Sequence, residues 1–301
     1  MVHGKQAKFL SGIRCRVQRH LHDRAKTLLA IIALTASIQV VGDPIVVKFP
    51  NGDLTLGGEL YLPPGEGPFP IVLFNHGSAP GMANSQASAA IGPKFVEQGW
   101  VFFMPYRRGQ GLSADQGPYI MDEIRNARWN PFADASKKLV ELQTGDHLSD
   151  QMAAFNWLLT QPFVDADRIA SLGNSFGGIQ VLLGMASLNY CAGVDASGGA
   201  ESWAESEDLR DLLKDVVTKS KGPIFFFQAE NDYDLRPSME LAAIMKNKGK
   251  RADLKIYPKF GKSNSDGHSF PYRGVSIWFQ DALEFMNTHC QPARSGDSSA
   301  P

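Results

Sequence analysis

The chain has 301 residues, 43% of them hydrophobic and 20% charged, with 30 Lys plus Arg against 31 Asp plus Glu. That composition suits one sizeable globular core. The near-zero charge balance offers no basic face for nucleic acid and no acidic excess of the kind that keeps a chain disordered, so a small molecule is the expected partner.

Charge is concentrated at the start. Residues 1–26 carry Lys5, Lys8, Arg14, Arg16, Arg19, Arg24 and Lys26 against Asp23, and Thr27 to Val41 then runs uncharged to Gly42. A basic stretch before a short apolar run has the layout of an export signal. The run falls short of the about 20 apolar residues that a membrane-spanning helix needs. Residues 1–42 are therefore expected to be a leader that exports the chain, to the periplasm or outside the cell, or an anchor if left uncleaved. Membrane contact is expected through this segment alone.

Beyond Gly42, Ile45–Phe49 and Leu54–Leu62 are predicted as strands around the turn residues Pro50, Asn51 and Gly52. The pattern then becomes strand, loop, helix. Short apolar runs at 70–74, 100–104, 168–172, 192–196, 223–227 and 253–257 predict strands. Runs without alternation are expected of parallel strands buried on both faces by helices. Helices are predicted at 149–160, with Met152, Phe155, Leu158 and Leu159 on one stripe, and at 176–187, 239–248 and 275–288. Leu112 to Gln143 and Ser197 to Lys221 break the alternation. Both leave carboxyl ends of strands, where ligands bind in such sheets, so they are expected to form caps. Tyr106, at the end of a predicted strand, and Tyr119, Trp129, Phe132 and Trp203 in the caps are candidate pocket walls. The polar residues 293–301 are expected to be a disordered tail around residues 43–292.

Three cysteines occur, Cys15 in the leader and Cys191 and Cys290 beyond it. Cys191 lies at the amino end of a predicted strand and Cys290 at the end of a helix running back, so a bridge between them is expected. None lies in a CxxC or Cys/His cluster, and no metal site is expected.

The strongest chemical motif is Gly173-Asn174-Ser175-Phe176-Gly177-Gly178, between a predicted strand and a predicted helix. A serine on such a tight turn is held exposed, and the helix that follows favours negative charge at its start. A hydroxyl is a poor nucleophile without a base. Of seven histidines, His3, His20 and His22 lie in the leader, His147 begins a helix, His289 ends one, and His76 is expected to brace its loop. His268, in a Gly-bearing loop after the last strand, remains. Glu230, Asp232 and Asp234 follow the penultimate strand, and spacing favours Asp232 as the carboxylate that orients the imidazole, with Asp234 second. Two backbone N–H groups should hold an oxyanion, one from Phe176 and one from Ser78.

With Asn75-His76-Gly77, Tyr106 to Gly111, the Ser175 motif, Glu230-Asn231-Asp232 and Gly267-His268 in this order, the chain resembles the dienelactone-hydrolase-like and prolyl-oligopeptidase-like branch of the α/β-hydrolases over about residues 45–290. The resemblance implies an α/β-hydrolase fold, with a mostly parallel sheet of about eight strands and helices on both faces. It also implies a triad of Ser175, Asp232 and His268 with no metal or organic cofactor. Two departures stand out. Ser175 occupies the place of the cysteine nucleophile of dienelactone hydrolases, and the stretch from Gly42 to Phe74 has no room for the β-propeller of prolyl oligopeptidases. The expected activity is hydrolysis of a carboxylic ester through an acyl-enzyme. Amide or peptide hydrolysis is the alternative, and a non-catalytic binding module on the same fold is a third reading.

Overall fold

A computed structural model describes residues 42–130 and 134–292. The expected leader up to Val41, the tail 293–301 and Phe132 lie outside the described residues.

Eight strands form one sheet: β1 (Ile45–Asn51), β2 (Leu54–Tyr61), β3 (Phe69–Asn75), β4 (Val101–Pro105), β5 (Val164–Asn174), β6 (Gly193–Ala196), β7 (Ile224–Ala229) and β8 (Ala252–Tyr257). Their order is β1-β2-β4-β3-β5-β6-β7-β8. β1 pairs antiparallel with β2, and β2 antiparallel with β4; all later pairs are parallel. All eight predicted strands are present in an α/β-hydrolase fold. One expectation fails at the edge: β8, the last strand of the sheet among the described residues, is exposed along its middle, whereas β7 is buried throughout.

Ten helices connect the strands among the described residues: α1 (Ser85–Glu97), α2 (Ile120–Trp129), α3 (Ala135–Thr144), α4 (Asp146–Leu159), α5 (Phe176–Ser187), α6 (Glu207–Lys219), α7 (Arg236–Asn247), α8 (Asn264–His268), α9 (Phe270–Arg273) and α10 (Val275–His289). The two-residue period of a strand sends alternate side chains to opposite faces. On β3, Ile71 and Leu73 join a core with α2 to α7, while Val72 and Phe74 join a second core with α1, α9 and α10. Burial on both faces explains the unalternating runs.

The predicted stripe of α4 is corrected. Phe155 and Leu158 are buried, but Met152 and Leu159 are exposed, and Gln151 and Ala154 face the core instead. The irregular stretch after Leu112 is also more regular than its sequence suggested, since it holds α2 and α3. Cys191 and Cys290 are bonded, with Cα atoms 5.0 Å apart. They tie the amino end of β6 to the end of α10. No helix among the described residues is long and apolar enough to cross a membrane.

Candidate active site

Ser175 sits between β5 and α5 at φ 57 and ψ −117, a left-handed backbone rare for a non-glycine residue and typical of strained functional turns. The turn closes against the loop after β3: a Cβ at Gly177 would lie 1.8 Å from the Asn75 carbonyl oxygen. Only glycine allows that approach, which brings the start of α5 against Asn75 and His76.

His268 is not in a flexible loop, as its sequence suggested, but ends the short helix α8. Ser263 and Asp266 cap that helix reciprocally, and Arg273 Nη1 donates to Asp266 Oδ1 at 2.9 Å. The preceding Gly267 lies so close to the chain after β7 that a Cβ there would meet the Asn231 carbonyl at 2.5 Å. This contact seats the imidazole beside Asp232. Nδ1 of His268 is 2.8 Å from Asp232 Oδ1, while Gln228 Nε2 donates to Asp232 Oδ2 at 2.8 Å and the Tyr233 N–H to Oδ1 at 2.7 Å. Asp234, the second candidate, instead accepts from Arg236 Nε at 2.9 Å.

Electrostatics follow from the pairing. Burial raises the Asp232 carboxyl, but the hydrogen bond and charge of His268 outweigh it and leave the group below its ordinary value. Burial lowers His268, and the bond and charge of Asp232, with the charge of Glu201, reverse this and leave it raised. Beneath the pair, Asp195 at β6 is fully buried and takes the Gly198 N–H at 2.9 Å. Burial pushes its carboxyl up to about 7, opposed by Gly198 and assisted by the charge of Asp232.

The Nε2 atom of His268 is buried and has no hydrogen-bond partner. It borders a cleft of about 260 Å³ that Ser175 also lines, together with Gly77, Ser78, Glu201, Tyr233 and Tyr272. Among the described residues, neither the Ser78 N–H nor the Phe176 N–H donates to a protein acceptor. The Gly77 N–H is already used, since it donates to the Tyr272 hydroxyl at 2.9 Å. Burial pushes that hydroxyl up to about 12, against the Gly77 N–H and the Arg107 charge, so Tyr272 keeps its proton and can donate it into the cleft.

His76 and His147 are structural. His76 is fully buried, and its Nε2 accepts the Arg107 N–H at 3.2 Å. Burial and the Arg107 charge hold it well below the ordinary imidazole value. His147 is pushed down to about 3 by burial, then by Arg107 and Arg108.

The expected pocket walls need correction. Tyr106 and Trp203 are in the core, at 0% and 1% exposure, whereas Trp129 is 79% exposed at the end of α2. Tyr119 touches the site only indirectly, through its hydroxyl's hydrogen bond to the Ser78 carbonyl. Large rings next to strand ends lower the free energy more by filling the core than by facing water. The walls are instead Tyr233, whose ring centroid is 5.3 Å from that of His268, and Tyr272. Neither was singled out in the sequence, because each lies just beyond a motif residue in a stretch without period. A larger groove of about 740 Å³, between the β1–β2 turn and α4, shares no residue with the cleft.

Comparison with known proteins gives a match to the dienelactone hydrolase family over residues 56–288. Among curated proteins none matches the chain. Among solved structures, an acylaminoacyl peptidase of Pyrococcus horikoshii is 18% identical with TM-score 0.63, and the match covers 86% of this chain and 43% of that one. A puromycin-hydrolyzing peptidase of Mycobacterium tuberculosis is 16% identical with TM-score 0.59, covering 83% and 40%. An esterase of Pyrococcus furiosus is 15% identical with TM-score 0.58, covering 84% and 96%. The chain thus spans less than half the length of the two peptidases, and at such identities the likenesses establish the fold alone.

Proposed function

This chain belongs to the dienelactone hydrolase family and is a hydrolase, and from that premise we propose that it cleaves carboxylic esters through an acyl-enzyme on Ser175. The observation that carries the reading is the His268 imidazole, held by Asp232 at 2.8 Å on one nitrogen and without a hydrogen-bond partner on the other, on a cleft that Ser175 lines. Asp232 as acceptor fixes the neutral ring with its proton on Nδ1, leaving the Nε2 lone pair free as a base.

Ser175 Oγ forms a bond to the ester carbonyl carbon while its proton passes to Nε2. The carbonyl π pair moves to oxygen, and the N–H groups of Ser78 and Phe176 hold that oxyanion. When the pair returns, the bond to the alcohol oxygen breaks, and the alcohol leaves with the proton from Nε2. A water then adds to the acyl-enzyme with the same proton traffic, releasing the carboxylic acid and Ser175. An alcohol departs more readily than an amine, which favours esters over amides.

Fluorophosphonate labelling tests the nucleophile: wild type should label stoichiometrically and Ser175→Ala not at all. Absence of labelling in both would leave a binding module. A series of p-nitrophenyl esters beside aminoacyl p-nitroanilides tests the bond cleaved, and faster turnover of the anilides would move the assignment to a peptidase.

The Cys191–Cys290 bridge supports action in an oxidising compartment, in keeping with an exporting leader. Residues 1–42 fused to a reporter active only after export should give reporter activity; a silent, stably made fusion counts against export.

A further inference from the structure

We propose that Glu201 makes this site select esters bearing a permanent positive charge near the scissile carbonyl, through a carboxylate set where the Ser175 cleft meets a second cavity. The inference rests on Ser175 being the nucleophile.

Glu201 stands in the turn that leaves β6. Trp203, two residues on, is buried. Arg210 Nη1 donates to the Ala204 carbonyl at 3.2 Å and also to that of Trp203, so the turn is anchored from below. The Glu201 side chain is 46% exposed, and its Oε2 lies 3.8 Å from His268 Nε2. It is the residue common to the catalytic cleft and to a neighbouring cavity of about 380 Å³. The apolar wall of that cavity comes from Met121, Ile124, Leu139 and Phe176, the last being the residue after the proposed nucleophile. A substrate seated on Ser175 can therefore extend one branch past Glu201 onto an apolar surface.

The charges around this path are mostly negative. Asp134 caps α3 by accepting from the Ser136 and Lys137 N–H groups. Glu205 lies 3.9 Å from Arg128. Glu201 has no Lys or Arg partner among the described residues; its ion-pair neighbour is His268, a group that must be neutral to act as base. The carboxylate thus faces the substrate's space without a permanent counter-cation of its own, at the rim of a cavity that sets one apolar wall against polar and charged groups, Arg128 among them. A quaternary ammonium, weakly hydrated and largely apolar in surface, suits both features. An anionic substituent would be repelled by Glu201.

The titratable groups around His268 are Asp232, Glu201 and Tyr233, with Asp195 behind Asp232. A quaternary ammonium does not titrate, so a preference for it is separable from any effect of Glu201 on the imidazole.

The test uses two pairs of neutral and cationic isosteres. One is p-nitrophenyl γ-trimethylammoniobutanoate beside the ester in which a carbon replaces the nitrogen. The other is choline butanoate beside its carbon isostere. The pairs place the charge on the acyl and alcohol sides respectively, and kcat/KM is measured for each at neutral pH in wild type and Glu201→Gln. In at least one pair, wild type should favour the cation by about tenfold or more, equivalent to about 1.4 kcal/mol, and the variant should bring that ratio close to one. Increasing salt should erode the wild-type ratio. A wild-type ratio near one in both pairs overturns the proposal, as does a ratio that survives in Glu201→Gln. Fluorophosphonate labelling of both proteins separates the two readings: if wild type does not label, the nucleophile assignment has failed rather than the selectivity.

Discussion

Arg107 holds Gly77 by its carbonyl: Nη2 donates to the Gly77 oxygen at 2.7 Å, and Nη1 donates to the His76 oxygen at 2.7 Å. In a trans peptide the N–H points opposite to the C=O. Securing the Gly77 carbonyl on a buried guanidinium therefore turns the Ser78 N–H away from Arg107, and Ser78 lines the cleft. The proposed oxyanion donor is thus oriented by a side chain about thirty residues further along the chain, at the end of β4.

Replacing that guanidinium should impair turnover more than binding. Arg107→Lys keeps the charge but cannot fork to two carbonyls. We expect kcat to fall by about a hundredfold, as when one oxyanion donor is lost, with a much smaller change in KM. Steady-state kinetics on a p-nitrophenyl ester, with a thermal melt to verify folding, checks this. A folded variant with unchanged kcat would remove Arg107 from the argument.

The two carboxylates after β7 should behave differently. Asp232→Asn would present an amide to Nδ1 and favour the wrong tautomer, so kcat should drop by about ten-thousandfold. Asp234→Asn should stay close to wild type in kcat, because Asp234 is engaged by Arg236 rather than by the imidazole. Parallel assays of the purified variants decide between them, and equal losses would contradict the assignment.

The pH profile carries a sign. As the proposed base, His268 must be neutral, and although burial lowers it, Asp232 and Glu201 leave it raised. Activity should therefore fall, as pH is lowered, through a midpoint above the ordinary imidazole value of about 6.5. Glu201→Gln removes one of the raising charges and should move the midpoint down. The dependence of kcat/KM on pH for a neutral ester is the measurement, and a wild-type midpoint below the ordinary value is the contrary result.

The bridge should matter for stability and not for chemistry. Cys191 and Cys290 are separated by 99 residues, and opening so long a loop should cost about 2–5 kcal/mol. The bond lies near the amino ends of the strands, away from the cleft at their carboxyl ends. Replacing both cysteines by serine should therefore lower the denaturation midpoint in urea while kcat/KM at moderate temperature changes little. An unchanged midpoint would show that the loop is held by other contacts.

What the sequence by itself determined was everything written in local pattern. The apolar runs located six of the eight strands, most of them buried on both faces, where a strand has no polar positions to hide, and turn residues located the first two. The residues flanking Ser175 specified a strand-to-helix turn because only glycine lets α5 approach Asn75. Elimination among the histidines left His268 because each of the others lay in the leader, in a helix or beside the bracing loop.

What only the tertiary structure decided was every relation between elements. Asp232 separates from Asp234 because Gly267, from a distant segment, seats His268 beside Asp232, while the neighbouring Arg236 engages Asp234. Trp203 and Tyr106 carry rings suited to a pocket wall, yet they fill the core, since burial depends on which neighbours close around a residue and not on its type. Glu201 and Tyr272 belong to no motif and gain meaning only from standing beside His268 and Gly77. Local sequence sets what a segment can be; the meeting of distant segments sets which atoms face one another, and that is the scale at which a site of this kind works.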